Sequence, residues 1–236
     1  MYTLSINTST KQYSLAAMKD EVLLAEYILP FGPEHFKNLM PSLNDLLNQV
    51  SLEPEKLDAL IVALGPGSFT GIRIGLAVAQ GISQCFDIPI IGIPTLLAMA
   101  SQLPYLKEDI SPIITSRRGE VFTSLFRWGT NGKLSRIKKD TSLRMEDIGS
   151  MIETKTVFIG NDFLSQGPFL KKQLGRKCLL APSNLWNLKA SSLGILGLKI
   201  LKKSATKSSG EPVPIYIREP DIRSPDAKLK QQKSAP

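Results

Sequence analysis

The chain has 236 residues, of which 42% are hydrophobic, so a sizeable core can form and a wholly disordered protein is excluded. Lysine and arginine number 29 against 21 acidic residues, which gives a net charge of +8. Residues 1–104 hold five basic and nine acidic side chains, whereas residues 105–236 hold twenty-four and twelve. This asymmetry predicts two structural units with different surfaces.

Cysteine and histidine usage excludes several kinds of site. The two cysteines, Cys85 and Cys178, form no CxxC pair, which excludes a four-thiolate zinc site and argues against a disulfide scaffold. His35 is the single histidine, so a metal site that needs several imidazoles is excluded. The first residues do not read as a signal peptide, and the apolar stretch at residues 57–64 is too short to span a membrane. We expect a soluble, cytoplasmic protein without membrane contact.

The first part of the chain reads as three strands followed by alternating helices and strands. Strands are predicted at residues 2–7, 12–18, 22–29, 57–64 and 88–93, and helices at 34–50, 72–86 and 95–102. The helix at 34–50 carries an unbroken apolar stripe at helical spacing. This order of elements predicts an α/β layer with an antiparallel and a parallel part.

The second part of the chain echoes that order from about residue 105. Strands are predicted at residues 110–115, 120–128, 133–141 and 156–160, helices at 145–152, 163–174 and 190–203, and a short strand or anchor at 213–218. The composition after Lys203 turns to Lys, Ser, Pro and Gly, which favours disorder at the end of the chain. We therefore predict an N-terminal lobe at 1–104, a C-terminal lobe at 105–220 and a basic, disordered tail at 221–236.

A glycine-rich loop, Gly65–Gly71, stands between a buried strand and a helix. Its backbone N–H groups could cradle a phosphate. The loop lacks the lysine of a P-loop and the spacing of a dinucleotide-binding fold, so a turn in which Ser68 or Thr70 caps the next helix is favoured. The weak candidates for a nucleotide or phosphate site are Asn7, Thr8, Ser9, Gly65, Gly67, Ser68 and Thr70.

Small residues recur at every fourth position of the following helix, at Gly71, Gly75, Ala79 and Ser83. An interior glycine costs a helix about 1 kcal/mol relative to alanine, so we expect this flat face to serve packing or binding. Two interpretations stay open: packing against the 34–50 helix, or docking of both helices onto a partner. His35 is expected to make a surface or interface hydrogen bond.

No arrangement of residues identifies a catalytic centre. The sequence contains no GxSxG or HExxH motif, and its carboxylates are scattered singly. Asn7, at the end of the first strand, cannot supply the negative charge that a hard cation prefers, so a turn formed by the small polar side chains of residues 7–9 is favoured. We therefore predict no catalytic residue and no metal site.

Five segments together resemble the TsaB (YeaZ) family of tRNA threonylcarbamoyladenosine biosynthesis. They are residues 4–9, 65–83, 93–96, 117–122 and 214–218, and the GPGSFTGIRIG string is the most specific of them. The resemblance covers residues 1–220. It implies an α/β fold of the actin-like, Hsp70-like (ASKHA) class with two RNase-H-like lobes and mixed sheets.

The resemblance also implies a non-catalytic subunit that binds and supports the catalytic paralogue TsaD, with TsaE as a further partner. TsaD carries an HxxxH metal pair, and the absence of histidine from residues 96–102 here favours TsaB over TsaD. A homodimer is implied when the chain is alone, with tRNA contact at most indirect. ATP or ADP and magnesium are implied only in the assembled complex.

In the family, the first two helices form the partner-binding surface. Carried onto this chain, the resemblance assigns that role to His35, Phe36, Leu39, Leu43, Gly71, Gly75, Ala79 and Ser83. A leucine at position 75 is accordingly expected to weaken association with TsaD.

Two departures from the family pattern each remove a carboxylate. Asn7 stands where the family usually has aspartate, and Thr115 and Ser116 precede Arg117 where it usually has Asp-Ala. Both weaken the case for magnesium–nucleotide chemistry by this chain alone. Two alternatives stay open: a peptidase, as the family's older glycoprotease label suggests, and an ATP-dependent kinase of the same fold.

Overall fold

A computed structural model describes residues 1–30, 35–117, 119–203 and 212–218. The side chains of Pro30, His35 and Phe36 lie outside the described set, as do Arg118 and the predicted tail at 221–236. The interface predictions for His35 and Phe36 therefore fall outside the described residues.

The first part of the chain forms a five-stranded mixed sheet. Its strands are β1 (Tyr2–Asn7), β2 (Gln12–Lys19), β3 (Val22–Pro30), β4 (Ala59–Gly65) and β5 (Ile90–Pro94). The spatial order is β3-β2-β1-β4-β5, with β1 antiparallel to β2 and parallel to β4. The predicted hairpin and the predicted parallel part are both present in this sheet.

The second sheet repeats the topology of the first. Its strands are β6 (Asp109–Thr115), β7 (Glu120–Trp128), β8 (Leu134–Arg144), β9 (Thr156–Gly160) and β10 (Cys178–Leu180). Their order is β10-β9-β6-β7-β8, so β6 takes the place of β1 and β9 that of β4. The echo expected from the order of elements is confirmed. β10 was missing from the predicted strands because three residues are too few to show an alternating pattern.

The helices lie on the faces of these sheets. They are α1 (Leu39–Gln49), α2 (Phe69–Phe86), α3 (Thr95–Ser101), α4 (Phe163–Leu174) and α5 (Ala190–Lys203). The predicted helix at 34–50 begins with a 3₁₀ turn, His35–Asn38, and the one predicted at 145–152 is a 3₁₀ helix throughout, Met145–Met151. Gly149 and Ser150 in its last turn have low α-helix propensity.

Two helices are exchanged between the sheets. The helix α3 follows β5 of the first sheet but packs on β6 of the second. The helix α5 returns from the second sheet to the first, where Gly194 lies against Met18 and Gly197 against Ile61. The strands before residue 105 form the first sheet and those after it form the second, whereas α5 packs on the first sheet although it follows the second in the chain. The lobe boundary itself stays a prediction.

Two hydrophobic cores hold the layers together. One lies between the sheets, where α3 and α5 contribute Leu96, Met99 and Leu193. The other lies between the first sheet and α1 and α2, and it includes Leu39 and Leu43. Among the described helices, none is both long and apolar enough to cross a bilayer.

Candidate functional site: the cleft between the sheets

The carboxyl ends of β1, β4, β6 and β9 surround a cleft of about 390 Å³ between the two sheets. In open α/β sheets, ligands bind outside the carboxyl ends of the strands. The described lining residues are Ser9, Thr10, Lys11, Pro66, Gly67, Ser68, Phe69, Ile72, Ile114, Thr115, Ser116, Arg117, Phe122, Asn161, Ile215, Tyr216, Ile217 and Arg218. The cleft therefore brings together Ser9, Gly67 and Ser68 of the predicted phosphate-site candidates.

Asn7 is completely buried at the end of β1, and its amide is committed to internal partners. Its Nδ2 donates to Thr10 Oγ1 (3.1 Å), Ser14 Oγ (3.3 Å) and the Leu188 carbonyl (3.1 Å). Its Oδ1 accepts from the backbone N–H and the hydroxyl of Ser9, at 3.0 and 2.7 Å. Asn7 thus ties β1 to β2 and to the segment before α5, and its bonds with Ser9 form the polar turn that the sequence favoured.

The glycine-rich loop packs tightly on the turn after β1. A Cβ on Gly67 would collide with the Ser9 carbonyl, and the Ser68 N–H donates to that same carbonyl at 2.8 Å. The Gly65 N–H donates to Thr95 Oγ1 at 3.1 Å. These amides are already used within the chain, and the close backbone approach explains the glycines without a ligand.

Ser68 is the N-cap of α2 and is one of the two residues predicted to cap this helix. Its Oγ accepts from the Gly71 N–H at 3.2 Å. The other candidate, Thr70, lies within the first turn of the helix and is exposed. The prediction of a turn whose serine caps the next helix is confirmed for Ser68. Phosphate binding by the loop stays a prediction.

The flat face of α2 points into the chain's own interior. A Cβ on Gly71 would collide with the Thr8 carbonyl and one on Gly75 with Thr8 Oγ1, and Ala79 is completely buried. Ser83 Oγ donates to the Ile88 carbonyl at the end of the helix. The predicted packing partner, the 34–50 helix, is corrected to the turn after β1. Gly71, Gly75 and Ala79 form no part of the outer surface.

The two leucines assigned to the interface also face inward. Leu39 and Leu43 are 1% and 4% exposed and belong to the core beneath α1. Their helical spacing marks the buried side of an amphipathic helix, and periodicity alone does not distinguish a buried side from a docking side. A partner surface on these helices has to use their outer sides.

A second polar cluster lies across the cleft, at the ends of β6 and β9. Asn161 Oδ1 accepts from the Thr115 N–H (3.0 Å), the Thr115 hydroxyl (3.2 Å) and Gln166 Nε2 (3.1 Å). Asn161 and Gln166 are buried. Thr115 ends β6 as Asn7 ends the equivalent strand β1, and amide and hydroxyl groups make the hydrogen bonds at both places.

An ion pair joins the two sides of the cleft. Lys11, in the turn after β1, contacts the Asp162 carboxylate at 2.6 Å, and Asp162 also caps α4 by accepting from the Ser165 N–H. The hydrogen bond from Lys11, together with that from Ser165, lowers the pKa of the Asp162 carboxyl. No pattern in the sequence indicated this contact, because 151 residues separate the partners.

The repeated sheet topology and the cleft define an α/β protein of the actin-like class. A Pseudomonas aeruginosa structure described as similar to the peptidase YeaZ has a TM-score of 0.74 at 20% identity, covering 92% of this chain and 99% of its own. The activator of 2-hydroxyisocaproyl-CoA dehydratase from Clostridium difficile, solved with bound ADPNP, has a TM-score of 0.54 at 11% identity. The match covers 89% of this chain and 99% of that one.

Sequence comparison narrows the class to a family. The family model of TsaD, tRNA N6-adenosine threonylcarbamoyltransferase, matches residues 31–221. The tRNA threonylcarbamoyladenosine biosynthesis protein TsaB of Bacillus subtilis is 32% identical over 221 residues, which is 92% of this chain and 94% of the relative. The chain belongs to the TsaB (YeaZ) family, as its motifs predicted.

Proposed function

We propose that this chain is a non-catalytic subunit of tRNA threonylcarbamoyladenosine biosynthesis that binds and supports a TsaD-type transferase. Its similarity to TsaB proteins supports the pathway. One structural observation carries the partner role: the outer side of α2 is an apolar, nearly uncharged surface. TsaE as a further partner, a homodimer in the absence of TsaD, indirect contact with tRNA and a cytoplasmic location belong to the same proposal.

The outer side of α2 has the composition of a helix-docking surface. Ile74, Val78 and Ile82 follow one another at four-residue spacing and are half-buried, so part of each side chain reaches solvent. Between them Ala77 and Gly81 are exposed, and a Cβ on Gly81 would meet nothing within 4 Å. Small residues flanked by branched apolar ones allow a second helix to approach closely, and exposed apolar patches mark interaction sites.

The chemistry of the cleft supports a subunit that does not hold magnesium and a nucleotide by itself. None of its described lining residues is aspartate or glutamate, the ligands that Mg²⁺ prefers. Asn7 is neutral and already bonded to neighbours that an ion would have to displace. We assign ATP or ADP and magnesium to the assembled complex. Nothing among the described residues specifically favours the peptidase or the kinase alternative.

Calorimetric titration with TsaD from the same organism tests the docking surface. The double variant Ala77→Glu/Gly81→Glu puts two carboxylates on exposed positions, where they should leave the fold intact. We expect its affinity for TsaD to fall at least about 100-fold, because two charges would be desolvated in an apolar interface. Leu164→Glu, on the exposed side of α4, is the matched control and should bind as the unmodified chain does.

Three outcomes are informative. If the double variant loses binding while Leu164→Glu keeps it, and the circular dichroism spectrum and melting temperature are unchanged, the proposal that TsaD binds the outer side of α2 is supported. Undiminished binding would place the contact elsewhere on the chain. Failure of the unmodified chain to bind TsaD at all would overturn the partner proposal.

A further inference from the structure

Residues 212–218 lie along the cleft and contact both sheets. We propose that this segment, the strap, holds the two sides of the cleft together in the place where a bound ligand would join them. The closed form of the chain then depends on the strap, together with the Lys11–Asp162 ion pair, and not on a nucleotide. The proposal concerns the isolated chain and is independent of its partner role.

The strap joins the first sheet through its backbone. The Ile215 N–H donates to the Leu64 carbonyl at 2.8 Å, near the end of β4. The Ile215 carbonyl passes close to Gly65, where a Cβ would lie 2.8 Å from that oxygen. Gly65 also has a φ of +103°, which side-chain-bearing residues rarely adopt. A glycine at position 65 therefore makes room for the strap as well as for the turn into the loop.

Tyr216 fastens the strap to the start of α2. Its ring lies 5.1 Å from the Phe69 ring, and its hydroxyl accepts a hydrogen bond from Arg73 Nε at 3.2 Å. The Arg73 guanidinium lies 3.8 Å from the centre of the Phe69 ring. These three side chains form one stacked group, which combines aromatic and cation–π attraction.

The next residues reach the second sheet. Arg218 Nη1 donates to Glu120 Oε2 at 2.7 Å, and Glu120 is the first residue of β7. Both side chains are largely shielded, with exposed fractions of 33% and 26%, so solvent weakens this ion pair less than a fully exposed one. Ile217 packs against the core between the sheets. Three consecutive side chains of the strap thus contact α2, the shared core and β7.

The residues of the cleft do not fit the metal–nucleotide group that an actin-like fold implies. The charged residues of its described lining are Lys11, Arg117 and Arg218, and that lining contains no carboxylate. Each of these three cations contacts a carboxylate that lies outside the lining. A ligand that joined the sheets would also meet the strap in the cleft. Because the strap is part of the chain, its effective concentration at the cleft does not fall on dilution.

Hydrogen exchange measured by mass spectrometry on the full chain tests this inference, with Tyr216→Ala against Tyr105→Ala. Tyr216 pairs with Phe69 of α2, whereas Tyr105 forms a comparable pair with Trp128 of β7, at 5.6 Å, away from the strap. In Tyr216→Ala we expect exchange to rise about tenfold on both sides of the cleft, at residues 66–72 and 114–117. In Tyr105→Ala exchange there should not change.

The outcomes distinguish a strap that holds both sides of the cleft together from a segment that only lies along it. Faster exchange confined to the strap, or to one side of the cleft, would overturn the proposal. Protection of the cleft in the unmodified chain by millimolar magnesium–ADPNP would also overturn it, because a nucleotide would then close the cleft. If Tyr216→Ala does not fold, Tyr216→Phe removes only the hydroxyl, and about a fivefold rise on both sides is expected from the lost hydrogen bond.

Discussion

Asn7 occupies a position where the charge of one side chain decides its role. The two N–H groups of its amide are shared among three oxygens, including the carbonyl of Leu188, which lies just before α5. A carboxylate in the same place could not donate and would face those oxygens with a negative charge. The sequence shows that the side chain at position 7 is neutral. The structure shows that its amide donates hydrogen bonds that a carboxylate could not donate.

The variant Asn7→Asp is therefore expected to lower the free energy of unfolding by about 3 kcal/mol at neutral pH. Burial raises the pKa of a carboxyl, and the protonated form can again donate one bond, so the loss should shrink as the pH falls towards 5. Urea unfolding at both pH values measures this. Asn44→Asp, on the exposed side of α1, is the control, and equal stability of the two variants would contradict the assigned role.

The helix α2 has two sides with opposite tolerance for added atoms. Gly75 faces Thr8 inside the chain, whereas Gly81 faces open space on the outer side. The sequence indicated that the small residues serve either packing or binding, because glycine is costly in a helix, and the family resemblance favoured binding. It could not identify the partner, because Thr8 is a turn residue 67 positions away from Gly75 and carries no periodic signal.

Two matched alanine variants distinguish these sides. Gly81→Ala should stabilise the chain by up to about 1 kcal/mol through helix propensity. Gly75→Ala should destabilise it by about 2 kcal/mol, because the added methyl group overpacks against Thr8 and outweighs the same gain. Thermal and urea unfolding measure both changes. Stabilisation by both variants would show that the inner side has spare room. A leucine at position 75 would act on the fold, so it cannot test partner binding as the sequence had suggested.

Most of the fold of the whole molecule could be predicted from the sequence. Among the described residues, local periodicity located every strand except β10 and all of α1 to α5, and the order of elements indicated two similar sheets. The exchange of α3 and α5 between the sheets could not be predicted, because each helix shows only that it has an apolar side and not which sheet covers it. The same limit applies to the cleft, where Lys11, Asp162 and the strap meet across long stretches of chain.

The partner-subunit role is tested most directly in the living host, by the content of threonylcarbamoyladenosine in bulk tRNA after this chain is depleted. Mass spectrometry of hydrolysed tRNA should show a several-fold fall in the modified nucleoside. Expression of the unmodified chain should restore it, and expression of Ala77→Glu/Gly81→Glu should not. Unchanged levels of threonylcarbamoyladenosine after depletion would contradict a role in this modification, whatever the isolated chain binds.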